Sequence, residues 1–166
     1  MNAQDANGTV FTGFFNDSLD RPTQVIRDFN NLSAKGQTSF SADDTNRTIT
    51  TTSDQTSYGD NTLKGQTLYD GLGRSREARQ YEGGTNYIDV QTQYDALGCA
   101  YKNSNPFPPW KSESAIWTTT SFDALSRVIS VTTSDSAAVT TSYSGNTATA
   151  TDQAGNSSTS ASLAVN

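Results

Sequence analysis

Residues 69–74 read Tyr-Asp-Gly-Leu-Gly-Arg, and two later stretches, 94–99 (Tyr-Asp-Ala-Leu-Gly-Cys) and 122–127 (Phe-Asp-Ala-Leu-Ser-Arg), repeat this text closely. When the chain is aligned on the aspartate, the motif occurs six times, at steps of 26, 27, 25, 28 and 29 residues. The six aspartates are Asp17, Asp43, Asp70, Asp95, Asp123 and Asp152, and the residues four positions later are Arg21, Arg47, Arg74, Cys99, Arg127 and Asn156. Recurrence at a near-constant spacing predicts a repeat architecture.

The chemistry of the motif predicts a tight turn between two β-strands. The aromatic residue ends a strand, and the Asp carboxylate can accept hydrogen bonds from backbone N–H groups further along the turn. Gly73 and Gly98 can supply the positive φ that such a turn requires, and Asn46 occupies the matching position. Asp20 and Ser126 are poorer substitutes there. We expect each arginine to reach back to its own Asp or across to a neighbouring repeat.

The segments between the motifs are typical of β-strands with polar surfaces. Ser and Thr together make up 46 of the 166 residues, and Thr, Val, Ile and aromatic residues favour strands. Residues 47–53 and 127–133 are rich in β-formers, and Ser144-Gly145-Asn146 is a candidate hairpin tip. The predicted fold is therefore all-β, with antiparallel hairpin repeats forming a long curved or twisted sheet, either an open strip or a partial shell. We assign about six repeats to residues 1–156 and a motif-free strand, a cap or donor strand, to residues 157–166.

Composition and charge exclude several classes of function. The net charge is −6 and the Lys and Arg residues are scattered, so no nucleic-acid interface is predicted. No stretch approaches the roughly 18 apolar residues of a membrane span. The chain has no His, which rules out Ser–His and Cys–His nucleophile pairs, and its three Glu residues have no Asp partner at a readable spacing. The motif spacing does not fit a calcium loop. We predict no enzyme activity, cofactor or metal.

Three further features leave alternatives open. Residues 103–113 contain three prolines, which bar them from a central strand, and Trp110 and Trp117 lie at and just beyond the end of this segment. These tryptophans either cover apolar surface or form a stacking platform for sugar rings. Cys99, the one cysteine, is a free thiol or forms an intermolecular bridge. Five Asn-x-Ser/Thr sequons either arise by chance or are glycosylation sites; they begin at Asn7, Asn16, Asn31, Asn46 and Asn156.

The repeated Tyr-Asp-Ala/Gly-Leu-Gly-Arg text resembles the motif of the YD-repeat, or Rhs-repeat, family, and residues 147–156 resemble its companion half-repeat. Members are large bacterial surface or secreted proteins, with teneurins as animal relatives. The resemblance implies a β-sheet strip that spirals into a hollow shell, which in complete members encloses a C-terminal toxin. Six repeats are too few for a shell, the self-cleaving motif and toxin are absent, and Cys99 and Asn156 replace the expected arginines.

The first functional hypothesis is a non-enzymatic structural or interaction protein, secreted or on a cell surface, that binds copies of itself or flanking repeats. Unpaired sheet edges favour head-to-tail strand addition into a fibre. The alternatives are a carbohydrate-binding module and a fragment of a toxin-encapsulating shell. Residues 1–13 lack the basic start and apolar core of a signal peptide, so we expect a segment of a longer protein or a processed product.

Overall fold

The computed structural model describes residues 2–4, 11–28 and 35–162, and it confirms the all-β prediction. The chain divides into two compact units, residues 1–89 with 108–112 and residues 90–107 with 113–166. The strands up to Gly83 lie in the first unit: β1 (Asn2–Gln4), β2 (Phe11–Asn16), β3 (Pro22–Arg27), β4 (Gly36–Asp43), β5 (Thr48–Ser53), β6 (Leu63–Tyr69) and β7 (Ser75–Gly83).

The strand β8 (Asn86–Tyr94) begins in the first unit and ends in the second. The remaining strands, all in the second unit, are β9 (Ala100–Ser104), β10 (Trp117–Phe122), β11 (Val128–Thr132), β12 (Ala138–Ser144), β13 (Thr147–Thr151) and β14 (Ser157–Ala161). The proline-rich segment forms no strand after Ser104 and contains a short 3-10 helix, Pro109–Lys111. The prediction that its prolines interrupt the strand pattern is confirmed.

Within each unit the described strands pair antiparallel with their neighbours in the sequence. Because the chain direction reverses at every turn, successive turns lie alternately at the two opposite ends of the strands. In the first unit the turns after β2, β4 and β6 lie at the same end of the strands. These turns contain or follow Asp17, Asp43 and Asp70. In the second unit the turns after β8 and β10, which contain Asp95 and Asp123, also lie at one end of the strands.

The sixth motif is out of phase with the others. Two described strands separate each earlier pair of consecutive motifs, but three strands, β11 to β13, separate Asp123 from Asp152. In the second unit, the turn at Asp152 therefore lies at the opposite end of the strands from the turns at Asp95 and Asp123. The spacing in sequence stays near constant because the loops between these three strands are short. Six motifs thus do not correspond to six equal repeats.

The strands bury few apolar side chains. In the part of the chain that the structure describes, the buried hydrophobic residues are Ile26, Leu68 and Phe107. Burial alternates along β7, where Glu77, Arg79 and Tyr81 are half-buried and the residues between them are exposed. The sheet therefore depends on backbone pairing and polar contacts more than on a hydrophobic core.

Candidate functional site

The turn at Asp70 is organised around one carboxylate. Asp70 Oδ1 accepts hydrogen bonds from the backbone N–H groups of Leu72 and Arg74, both at 2.9 Å. Asp70 Oδ2 accepts one from Arg74 Nε at 2.7 Å. The backbone adds two bonds, from Asp70 N–H to the Arg74 carbonyl (2.9 Å) and from Gly73 N–H to the Asp70 carbonyl (3.2 Å). One side chain thus satisfies the backbone donors of the turn and also holds the arginine.

The turns at Asp17 and Asp123 have the same geometry. At Asp17 the two N–H bonds measure 2.9 and 3.0 Å and the Arg21 Nε bond 2.8 Å. At Asp123 the corresponding distances are 2.9, 3.0 and 2.7 Å, with Arg127 as the donor. In both turns the third residue after the aspartate, Asp20 or Ser126, takes a positive φ, as Gly73 does. In all three hairpins, a register shift between the two paired strands occurs just before the turn that joins them.

Cys99 and Asn156 stand where the other turns have arginine, and they behave differently. Asp95 and Asp152 both accept the two backbone bonds, at 2.8 to 2.9 Å. The amide of Asn156 replaces the guanidinium, because its Nδ2 donates to Asp152 Oδ2 at 2.9 Å. Cys99 donates only its backbone N–H to Asp95 in the described structure, so this turn lacks the side-chain bond.

The hairpin at Asp43 departs from the motif. Asp43 pairs directly with Thr48, and its carboxylate accepts the Asn46 N–H at 3.0 Å and Asn46 Nδ2 at 2.7 Å. Although Asp43 and Arg47 are both described, no ion pair joins them. The expectation that Asn46 takes the positive φ is wrong, because Arg47 does so, with φ 52°. The four-residue connection leaves Arg47 as the residue that turns the chain into β5.

Arg21 also bridges two neighbouring turns. Its Nη1 lies 2.8 Å from Asp44 Oδ1, while its Nε donates to Asp17. The turns after β2 and β4 are therefore close enough for one side chain to join them. This agrees with their position at the same end of the strands. The expectation that an arginine reaches either its own Asp or a neighbouring repeat is met here in both ways.

A further turn with the same backbone bonds escaped the sequence analysis. Thr133 N–H donates to the Ala137 carbonyl at 2.9 Å and Ser136 N–H to the Thr133 carbonyl at 3.0 Å. Thr133 occupies the position of the motif aspartate, and its hydroxyl donates instead to Asp135 Oδ1 at 2.6 Å. This turn supplies the additional strand between Asp123 and Asp152. The predicted hairpin tip at Gly145 and Asn146 is confirmed, since Ser144 pairs with Thr147.

The loop between β5 and β6 contains a second carboxylate-centred arrangement that sequence reasoning missed. Asp54 accepts backbone N–H groups from Gln37, Gly59 and Asn61 at 2.9 to 3.1 Å. Asp60 accepts N–H groups from residues 55, 56, 57 and 62 at 2.8 to 3.2 Å. Oxygens occupied by so many N–H donors are not arranged as cation ligands. The loop is a structural cap on the end of the hairpin.

Hydrogen bonds within the turn lower the pKa of the aspartate in four of the motif turns, those at Asp17, Asp70, Asp123 and Asp152. The backbone N–H and then the guanidinium of Arg21 lower the pKa of Asp17, and the backbone N–H of Arg74 is the main cause at Asp70. At Asp123 and Asp152 the leading cause is the side-chain bond from residue 127 or 156. Donors that favour the charged carboxylate hold it ionised to lower pH. These four turns are thus built for the ionised form of the carboxylate.

Polar side chains interlock on one face of β5 to β8. Arg79 Nε donates to Glu77 Oε1 at 2.5 Å, and its guanidinium carbon lies 4.7 Å from the ring centre of Tyr87. Tyr81 donates its hydroxyl to Gln66 Oε1 at 3.1 Å, and Gln66 Nε2 donates to Thr50 at 3.0 Å. The cluster joins four strands without a hydrophobic core, and its geometry serves cohesion of the sheet.

Each of the two tryptophans has a lysine over its ring. Trp110 belongs to the first unit and Trp117 to the second. Trp110 is 46% exposed, and Lys111 Nζ lies 4.9 Å from its ring centre. Lys102 Nζ lies 5.0 Å from the ring centre of Trp117, which is half-buried. A lysine on each ring competes with a sugar for that face.

The described sequon asparagines lie in or beside turns and use the amide nitrogen that would carry a glycan. Asn16 Nδ2 donates to Asp20 Oδ1 at 2.7 Å, while the Nδ2 atoms of Asn46 and Asn156 bond to motif aspartates. All three residues are exposed. Asn7 and Asn31 lie outside the described residues.

No protein-family model and no curated protein matches this chain. Across residues 2–4, 11–28 and 35–162, no helix is long and apolar enough to cross a membrane. In the same ranges no three His, Cys, Asp or Glu side chains are grouped to hold a metal.

Proposed function

We propose that this chain is a non-enzymatic structural protein, secreted or on a cell surface, that assembles with copies of itself by β-strand addition. The observation that carries the proposal is the character of β14. Its five residues, Ser157–Ala161, are all exposed, and within the described chain β14 pairs only with β13. Its other side therefore presents backbone groups that a further strand can pair.

The strand β14 has none of the features that usually block edge pairing. It contains no charged residue and no proline, and no Lys or Arg follows Arg127 in the sequence. Its pairing with β13 runs from Thr151↔Ser157 to Thr147↔Ala161 without a register shift. Charges, prolines and bulges are the means by which proteins protect edges. A regular, uncharged edge favours addition of a strand from the next copy.

A head-to-tail contact between β14 and the N-terminal strand of another copy is heterologous, and where its rotation does not close a ring it builds a fibre. The absence of His from the sequence and the use of the turn carboxylates as backbone acceptors support a non-enzymatic role. The likeness to YD repeats supports a surface or secreted location, where that family's members act.

The test places lysines on the open edge. Ser158→Lys with Ser160→Lys should abolish concentration-dependent assembly, measured by sedimentation velocity and negative-stain electron microscopy. The charge-matched control, Ser134→Lys with Gln153→Lys, changes two exposed turn residues and should assemble normally. A wild-type chain that stays monomeric at high concentration would contradict self-assembly and favour a shell fragment, which needs flanking repeats.

Glycan binding is the second proposal, supported by the exposure of Trp110 and opposed by the lysines on both indole rings. A glycan array with the wild type and the Trp110→Ala variant separates it from the first proposal. Binding that the substitution removes would favour the carbohydrate-binding role. No binding, or binding unchanged by the substitution, would eliminate a role for this residue.

A further inference from the structure

An open, mostly polar depression lies on one face of the first unit, where β3, β4 and β5 run side by side. Its volume is about 260 Å³, and its lining includes Val25, Arg27, Thr38, Ser53 and Asp54. Val25 pairs with Thr38, and Thr38 pairs with Ser53. Because directly paired residues of neighbouring strands point to the same face, these three side chains border one space. The depression therefore combines an apolar side chain with hydroxyl and charged groups.

Arg27 brings to this depression a guanidinium with which no carboxylate of the described chain forms an ion pair. The side chain is exposed, and its partner on β4 is Gly36, which has no side chain to cover the guanidinium. A methyl group at position 36 would lie 4.0 Å from Arg27 Nη2, so a larger side chain there would fill the space beside it. The guanidinium therefore keeps N–H donors available for a ligand.

The backbone does not require a glycine at position 36. The φ of Gly36 lies outside the left-handed region, so a residue with a side chain can adopt the same conformation. Glycine within a strand weakens that strand, and it often marks a site where a ligand or another backbone approaches closely. Gly36 therefore favours an occupant beside the Arg27 guanidinium.

The other polar groups define the charge and the hydrogen bonds of that occupant. The Thr38 and Ser53 hydroxyl oxygens are 2.9 Å apart and share one hydrogen bond, which leaves one hydroxyl hydrogen and further lone pairs for a ligand. The Asp54 carboxylate already accepts three backbone N–H groups. Its negative charge in the lining disfavours a doubly charged anion such as phosphate more than a singly charged carboxylate.

We infer that this depression, the Arg27 site, binds a small hydroxylated carboxylate of the uronic acid class. The guanidinium pairs with the carboxylate through parallel N–H···O bonds. The Thr38 and Ser53 hydroxyls exchange hydrogen bonds with the hydroxyls of the sugar, since a hydroxyl both donates and accepts. The volume is below the roughly 300–1,000 Å³ of sites for drug-sized ligands, which suits a single sugar unit. The site uses neither Trp110 nor β14, so the inference is independent of both proposals made for them.

Saturation-transfer difference NMR with the full chain tests the site, because it observes the ligand and tolerates assembly of the protein. The probes are glucuronate, glucose, which lacks the carboxylate, and acetate, which lacks the hydroxyls. Glucuronate should bind more tightly than either. Arg27→Gln should weaken glucuronate binding roughly tenfold or more through loss of the charged hydrogen bonds. Arg76→Gln, at an exposed arginine of β7, is the control and should leave binding unchanged.

Gly36→Val separates a binding site from a structural role. Valine favours strands, so the thermal midpoint should stay or rise while glucuronate binding is lost. Gly65→Val, at a strand glycine of β6 that also lacks a positive φ, is the matched control and should retain binding. No glucuronate binding by the wild type, equal binding of glucose or acetate, or binding unchanged by Gly36→Val would overturn the inference. None of these outcomes bears on assembly through β14, which sedimentation measures separately.

Discussion

The β6–β7 and β13–β14 hairpins are closed by the same carboxylate-centred turn but differ in what their strands contact. The β6–β7 hairpin has a register shift before its turn, buries Leu68 and carries Arg79 in a network with Glu77 and Gln66. The β13–β14 hairpin is regular and is joined on one face by hydroxyl pairs, Thr149–Thr159 at 2.8 Å and Thr151–Ser157 at 2.9 Å.

The comparison separates two tasks that the repeat performs. The turn fixes which strands pair and in which register, because its bonds are nearly identical in both hairpins. The strand side chains decide how firmly the hairpin is held and whether its edge stays open. Asp152 therefore closes a hairpin whose outer strand remains exposed along its whole length.

The largest expected effect is that of low pH, because acid protonates the turn aspartate that closes each of the two hairpins. The pKa values of both Asp70 and Asp152 are lowered in the folded chain, so each stabilises the fold above the unfolded pKa of about 3.9 and loses this contribution as pH falls through the folded pKa. We expect the thermal midpoint to be steady above about pH 5 and to fall below about pH 4.

Hydrogen exchange along the same titration tests the comparison, after correction for intrinsic exchange rates. The β13–β14 hairpin should open at a higher pH than the β6–β7 hairpin, which retains its buried leucine and arginine network. Simultaneous opening of both hairpins would mean that the strand contacts add nothing.

Leu68→Ala should remove the apolar contact that distinguishes the β6–β7 hairpin. Loss of a buried leucine costs about 2–4 kcal/mol in free energy of unfolding through lost burial and the cavity left behind. Urea unfolding measures the change. Leu63→Ala on the same strand, where the side chain is half-exposed, should cost about 1 kcal/mol or less. Equal losses in free energy of unfolding at the two positions would mean that burial of Leu68 adds no stability.

Asp70→Ala and Asp152→Ala compare the two turns directly. Each substitution leaves two turn N–H groups without the carboxylate, but only the first also releases a guanidinium. Because bonds between charged groups are the stronger ones, Asp70→Ala should lower the thermal midpoint by several degrees and Asp152→Ala by less. Asp70→Asn, which keeps one oxygen acceptor, should fall between the wild type and Asp70→Ala. A larger loss at Asp152 would reverse the proposed order.

The smallest expected effect concerns the position with positive φ. Ser126 and Ser136 adopt φ values of 59° and 68°, whereas Gly73 and Gly155 fill the same position at no steric cost. Ser126→Gly should therefore raise the free energy of unfolding by about 1 kcal/mol, and Ser136→Gly by a similar amount. Ser134→Gly, in the same turn but without a positive φ, should lower it by about 0.5–1 kcal/mol. Stabilisation at all three positions would point to a cause other than backbone strain.

The all-β class and most of the turns could be predicted from the sequence because an aspartate that caps its own turn is a strong local signal. The turn at Thr133 carries no such signal, since backbone bonds close it and the carboxylate lies two residues later. That omission hid one strand, which places the turn at Asp152 at the opposite end of the strands from the turns at Asp95 and Asp123. Similarly, Arg47 takes the left-handed conformation because the register of Asp43 with Thr48 is set by the whole strand pair.

The open edge and the exposed leucines of the motif turns were predictable only in part. The sequence located the motif-free strand at residues 157–166, and the structure describes a strand over Ser157–Ala161, whose regular pairing and full exposure depend on the three-dimensional register. The leucines are visible in the repeated text, yet a leucine after a turn is ordinarily expected to pack. Their exposure follows from their position within the turns, where the backbone N–H of each leucine is held by the turn aspartate.

Pairing between sequence neighbours has a consequence for how the chain folds. Each hairpin within a unit forms from residues close in sequence, so little chain entropy is lost before contacts are made, and formation is fast. Stability then approximates a sum of hairpin and neighbour terms, as in other linear repeat arrays. We expect unfolding to begin at β14 and to proceed inward strand by strand, so that a chain shortened by its last hairpin keeps the structure of the strands before it.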